Sequence, residues 1–253
     1  MTEVLWNRMT ATELRQMAEA GAIVLLPVAS TEQHGPHLAT GVDTYLAGEG
    51  CRRTALLVAE KRPIVVAPTL WMGLAEHHVA FGGTFTVSLP TYYALLRDLC
   101  DAILRAGFRK ILIVNAHGGN VAALTALTTD LAKELKAPIA TTNLYALAHE
   151  AKAYAPVLED QEGVKHACEA ETSMMLAAFR DCVREDRIPD AFGPNDAKSP
   201  TAAPVLVWKS FKELSPSGVI GDARRANPEK GEKLLDIAAG LLADELIAGR
   251  PWD

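Results

Sequence analysis

Short apolar runs alternate with longer amphipathic ones along most of the chain, and this alternation restricts the fold more than any other feature of the sequence. Ala22–Val28 (AIVLLPV), Ile64–Ala67 and Lys110–Asn115 (KILIVN) are compact and apolar, the pattern of strands buried on both faces. Pro138–Leu144 is a weaker run of the same kind. Helical stretches separate them. Thr10 and Glu13 have the spacing of a capping box, opening a helix that Gly21 closes. Tyr45–Glu60 carries apolar residues at helical spacing, and Pro90 sits where a first-turn proline is tolerated. Tyr92, Leu95, Leu96, Leu99 and Ile103 then form one helix face before Gly107. Val121–Leu135, Glu171–Phe179 and Glu229–Ile247 read as further helices. Strands joined by helices need crossover connections of right-handed sense, so the expected class is α/β, with a mostly parallel sheet and helices on both faces.

The stretch from Pro189 to Pro228 breaks this pattern. Prolines at 189, 194, 200, 204, 216 and 228, together with several glycines, make it an expected excursion over the surface, too poor in apolar periodicity for a domain of its own. One domain over residues 1–253 is the expectation. With 49% hydrophobic and 22% charged residues the chain is not disordered, and a net charge of −6 argues against a nucleic-acid partner. No run approaches the roughly 18 apolar residues of a membrane span, and the first ten residues lack the pattern of a signal peptide. Cys51, Cys100, Cys168 and Cys182 are scattered without C-x-x-C spacing. A cytoplasmic protein with reduced thiols is expected.

Residues suited to metal chemistry gather at the predicted strand ends. Thr31-Glu32-Gln33-His34-Gly35-Pro36-His37, followed by Asp43, leaves the Ala22–Val28 strand on what reads as a Gly/Pro-rich loop. Loops at the carboxyl ends of parallel strands are where such sheets bind ligands. Glu, His and Asp suit divalent ions such as Zn²⁺ or Mn²⁺, although the same residues also populate solvated surface loops. Asn115-Ala116-His117-Gly118-Gly119-Asn120 follows the KILIVN strand, with Asn120 placed to cap the next helix. Two strand ends that each offer a metal-type residue outweigh one. His166-Ala167-Cys168-Glu169-Ala170-Glu171 opens another helix, where acidic residues also favour the helix dipole and His166 has the chemistry of a proton-transfer group. Of the adjacent pair His77-His78, at most one is expected to face a shared site.

Together these segments resemble the creatininase (creatinine amidohydrolase) family. The matching pieces are Ser30–Thr44 (STEQHGPHLATGVDT), Glu76–Thr84 (EHHVAFGGT), Val114–Asn120 (VNAHGGN), His166–Ser173 (HACEAETS) and Gly218–Gly231 (GVIGDARRANPEKG), in the family's order. The resemblance implies a three-layer α/β/α sandwich with two divalent metal ions per chain at the carboxyl ends of the strands. It implies hydrolysis of a C–N bond in a small, usually cyclic, non-peptide amide, by homo-oligomers that are often hexameric. By position, Glu32, His34, Asp43 and His117 look like metal ligands, with Asp43 bridging two ions, and His166 resembles the family's acid/base histidine.

Two departures stand out. Creatinine-hydrolysing members carry a metal-binding Glu where this chain has Gly119, and a Trp where it has Glu162. Glu171 is the expected substitute ligand. Glu169 and Glu171 are two apart, about 200° around a helix, so they do not point into one site, and Glu169 is expected to face solvent. The loss of the Trp removes a stacking partner for creatinine. Zn²⁺ is favoured, and Mn²⁺ and Fe²⁺ accept the same ligands. A deformylase, a peptide-trimming hydrolase, or a catalytically silent metal or small-molecule binder are the competing readings.

Overall fold

The four predicted strands form one sheet in the computed structural model of the chain, which describes residues 3–196 and 207–252. They are β1 (Ile23–Val28), β2 (Ile64–Val66), β3 (Lys110–Asn115) and β4 (Ile139–Asn143), in the order β2-β1-β3-β4, all parallel. All six residues of β1 are buried, as are five of the six in β3, which is why neither strand alternates with polar residues.

The helices are α1 (Ala11–Glu19), α2 (Val42–Val58), α3 (Leu89–Arg105), α4 (Val121–Leu135), α5 (Ala146–Glu150), α6 (Glu169–Ala178), α7 (Phe211–Leu214) and α8 (Pro228–Ile247). Ile23, Leu25, Leu112 and Val114 point to one face, where Leu46 and Val58 of α2, Met174 and Met175 of α6, and Leu235 and Leu242 of α8 cover them. Val24, Leu26, Ile111 and Ile113 point to the other, against Tyr92 and Leu96 of α3 and Leu124 and Leu131 of α4. Each such side chain contributes roughly 1.5–3 kcal/mol by leaving water. The result is the three-layer α/β/α sandwich that the sequence led us to expect.

The sheet order fixes where a ligand can sit. The chain passes from β1 through α2 to one edge, then returns through α3 across β1 to β3. The connections that leave β1 and β3 therefore diverge to opposite faces and open a crevice at the carboxyl ends of these two strands. The Glu32 loop leaves β1 and His117 follows β3, so both reach that crevice. On the α2 face, α8 lies so close to α6 that a Cβ at Gly231 would come within 1.9 Å of the Ser173 carbonyl oxygen.

Several boundaries differ from the expectation. Helix α2 begins at Val42, three residues before Tyr45, so Asp43 lies in its first turn and not on a loop. Gly41 precedes it without any side-chain cap that a sequence signal would reveal. The stretch 189–228 is not purely a surface excursion, because Phe211, Ser215, Val219, Ile220 and Ala223 are buried. Pro200 and Pro204 lie outside the described residues. No helix among the described residues is long and apolar enough to cross a membrane.

Candidate metal centre and active site

Four elements deliver the five side chains at the crevice. Glu32 and His34 come from the segment after β1, Asp43 from the first turn of α2, His117 from the end of β3 and Glu171 from the first turn of α6. All five are buried, and their polar atoms converge into two groups that share Asp43, while Glu32 and His34 also form a third such group with His166. Glu32, Asp43 and His117 form one group, and His34, Asp43 and Glu171 the other, with the ligand atoms of each within 4.8 Å of one another. Asp43 Oδ1 stands 3.2 Å from His34 Nε2, and its Oδ2 stands 3.0 Å from His117 Nδ1. Glu32 Oε2 is 3.1 Å from His117 Nδ1, and Glu171 Oε2 is 3.8 Å from His34 Nε2.

The far nitrogen of each imidazole is anchored. His34 Nδ1 is 3.1 Å from the Glu32 carbonyl oxygen, and His117 Nε2 is 3.1 Å from that of Leu74. A histidine that donates one N–H to a backbone carbonyl presents its other nitrogen as a fixed lone pair, the arrangement usual behind a metal ligand. Gly119 makes the second anchor possible. A Cβ at that position would lie 2.3 Å from the Leu74 oxygen and 2.4 Å from His117 Nε2. A Glu at 119 therefore has no room beside this anchored His117. Glu171 reaches the cluster instead, its Oε2 also accepting the Ala167 N–H at 2.5 Å.

The imidazoles and carboxylates of the cluster shift one another strongly. Burial pushes the Glu171 carboxyl up to about 8 and raises that of Glu32, while His34 and His117 hold Asp43 well below its usual range despite burial. Burial alone would lower His34, yet Asp43, Glu171 and Glu32 lift it to about 9, and Glu32 and Asp43 lift His117 in the same way. Glu32 Oε2, His34 Nε2 and Asp43 Oδ2 are buried with no hydrogen-bond partner, because their close approaches are not aligned as hydrogen bonds. A buried polar atom without a partner costs about 1–3 kcal/mol, more where it is charged, and a cation between the two groups would relieve it.

Around the cluster stand residues suited to handling protons. His166 Nδ1 lies 3.5 Å from Glu32 Oε1, and burial with the nearby His34 holds its ring well below the usual imidazole range, hence neutral. Of the pair at 77 and 78, His78 is the one turned to the cluster, its Nε2 3.3 Å from Glu32 Oε1. His77 lies behind His117, with ring centroids 5.8 Å apart. His37 is buried with its Nε2 2.7 Å from Thr172 Oγ1, outside both groups.

Three features escaped the sequence reading. Glu169 does not face solvent: it is fully buried, paired with Lys230 Nζ at 2.6 Å, and accepts the Glu159 N–H. Asn120 makes no capping bond. Its side chain instead links the Ala29 carbonyl, Asn115 and the Leu74 N–H, tying the ends of β1 and β3 to the loop that anchors His117. Phe211 of α7 stacks on His78 at 4.2 Å and meets His166 edge-on at 4.6 Å, so the proline-rich stretch supplies an apolar wall. A lone aromatic in such a stretch gives no periodic signal.

The match of residues 7–246 to the creatininase family model, described as creatinine amidohydrolase, decides the affiliation. The chain belongs to the creatininase family. Among curated relatives, the 3-dehydro-scyllo-inosose hydrolase of Thermotoga maritima is 29% identical, covering 96% of this chain and 84% of the relative. The creatinine amidohydrolase of Pseudomonas putida is 27% identical, over 96% and 94%. The mycofactocin precursor peptide peptidase of Mycobacterium tuberculosis is 30% identical, over 87% and 82%. A crystal structure of creatininase superposes with a TM-score of 0.84 over all of both chains at 23% identity, which fixes the fold. Creatininase structures of the same similarity include a Zn–Zn form and a Mn form. As a creatininase-family member the chain is a hydrolase acting on C–N bonds, as the sequence reading expected.

Proposed function

We propose that this protein, as a single creatininase-like domain over residues 1–253, is a two-metal hydrolase cleaving a C–N bond of a small cyclic amide. The observation that carries this reading is the doubly facing Asp43, one oxygen toward each group, among buried polar atoms that lack partners. The donor set fits two divalent ions, with His34, Asp43 and Glu171 holding one and Glu32, Asp43 and His117 the other. Zn²⁺ is favoured, with Mn²⁺ or Fe²⁺ as alternatives, since mixed imidazole and carboxylate ligands suit all three. The Zn–Zn and Mn forms of creatininase support the same choice. Such ions supply Lewis acidity, making an attacking water more acidic and polarising the substrate carbonyl.

The chain's own residues do the rest. His166, neutral and with Nδ1 beside the cluster, accepts a proton from the attacking water and returns it to the departing nitrogen. Asp43, shared by both groups, holds them in register. Phe211, buried against His78 and His166, excludes water from one side of the His166 ring. Homo-oligomerisation, hexameric by family resemblance, and a cytoplasmic location complete the proposal. Exposed aromatics Trp71 and Phe85, in edge contact at 5.4 Å, suit the first.

A peptide-trimming role is the second reading. It draws on the mycobacterial relative and on an open groove of about 560 Å³ beside His77, lined also by Leu74, Val87, Leu89 and Trp208. Metal-reconstituted protein screened against lactams, hydantoins, formamides and short peptides separates the two. Turnover of a cyclic amide supports the first reading, and turnover of peptides alone supports the second.

A further inference from the structure

Gln33 sits between two proposed ligands in sequence, yet its side chain turns away from both groups. Its Nε2 lies 2.9 Å from His78 Nδ1, 2.9 Å from His166 Nε2 and 3.3 Å from the Gly218 carbonyl oxygen. Its Oε1 accepts the Gly35 N–H at 2.9 Å, which fixes which end of the amide is nitrogen. The Gln33 carbonyl oxygen is 2.8 Å from His166 Nε2.

An amide nitrogen has two hydrogens, and three groups surround this one. The Gly218 carbonyl can only accept. His78 Nδ1 has no other partner among the described hydrogen bonds, so it takes the second hydrogen. His166 Nε2 is left to carry its own proton, which the Gln33 carbonyl oxygen accepts. Were His166 Nε2 bare, it would face that oxygen at 2.8 Å, lone pair against lone pair. The shorter contact, 2.8 Å to the main-chain carbonyl oxygen against 2.9 Å to the amide nitrogen, decides the His166 ring, and the count of hydrogens then decides His78. His78 then bears its proton on Nε2, aimed at Glu32 Oε1, and His166 presents a bare Nδ1 to the cluster.

We propose that Gln33 is a positioning residue: a hydrogen of its side-chain amide sets the tautomer of His78, steadying Glu32, and its main-chain carbonyl sets that of His166, turning the proton-accepting nitrogen toward the substrate. The inference rests on the two-metal reading for its purpose, but the tautomers themselves do not depend on it.

Long-range ¹H–¹⁵N spectra of the metal-free protein at neutral pH test it directly. Both His78 and His166 should show a protonated Nε2 and a bare Nδ1. A proton on Nδ1 of either ring overturns the assignment. In Gln33→Met, His78 should lose its single tautomer, and kcat of the metal-loaded enzyme should fall about 10–100-fold while KM and metal content hold. An unchanged His78 spectrum, or a fall in kcat that only tracks metal loss, overturns the positioning role. If Gln33→Met does not fold, the wild-type spectrum still decides. A chain that shows the expected tautomers but binds no metal would refute the two-metal reading alone.

Discussion

Asp43 meets His34 with one carboxylate oxygen and His117 with the other, so its removal strips a ligand from both groups at once. Asp43→Ala should therefore lose most of both metal equivalents and all measurable turnover, by metal analysis and kinetics on the same preparation. His166→Ala should behave differently. It keeps both metals but loses about 10²–10⁴-fold in kcat, the usual worth of a positioned proton-transfer group. Loss of a full metal equivalent in that variant would instead make His166 a ligand, since its ring also lies within reach of Glu32 and His34. Of these residues, Glu32, His34 and His117 stand out in the sequence because metal-type side chains follow strand-like runs, and His166 because it precedes an acidic helix start. Gln33 does not, because an amide sandwiched between candidate ligands gives no chemical hint that it turns toward two histidines.

Helix α6 carries two carboxylates two residues apart with opposite duties. Glu171 faces His34, whereas Glu169 is buried against Lys230 and the Glu159 N–H. Glu171→Ala should cost one metal equivalent and leave the melting temperature of the metal-free protein little changed. Glu169→Ala should leave the folded protein's metals in place but destabilise it by about 3 kcal/mol, the scale of a broken buried pair, read by denaturant unfolding. Equal metal loss in the two variants would contradict this division. The angular argument separates the two residues from sequence, but the destination of Glu169 is not legible there, because Lys230 lies far along the chain on α8.

Another clamp joins α2 to α8. Glu49 accepts from Arg52 and Arg53, and Arg53 reaches Glu232 and Asp236 on α8. Burial works to raise the Glu49 carboxyl, but the two arginines hold it below its usual range. A lowered folded pKa adds stability that is complete above the unfolded value of about 4.3 and disappears as pH falls through the folded value. Glu49→Gln should thus lower unfolding free energy by about 1 kcal/mol at pH 7 and by much less near pH 3. A cost that is the same at both pH values would contradict the ionic origin.

At the scale of the whole molecule, the sheet was largely written in the chain. β1 and β3 are central and buried on both faces, so their apolar runs are continuous and their ends well marked. β4, at the sheet edge with only its first residue fully buried, reads more weakly for that reason. The stretch around Phe211 was hidden, because its burial comes from packing on distant histidines and not from any local period. The strand order brings the carboxyl ends of β1 and β3 together, and α2 and α6 add their first turns to the same crevice, so one cluster draws on four elements. The most direct test is titration of the folded, metal-free protein with Zn²⁺, counting bound equivalents while following amide hydrolysis. Two equivalents per chain, with turnover appearing as they bind, is the predicted result. A folded chain that binds no Zn²⁺, Mn²⁺ or Fe²⁺, or that hydrolyses its substrate equally well without them, would contradict the account.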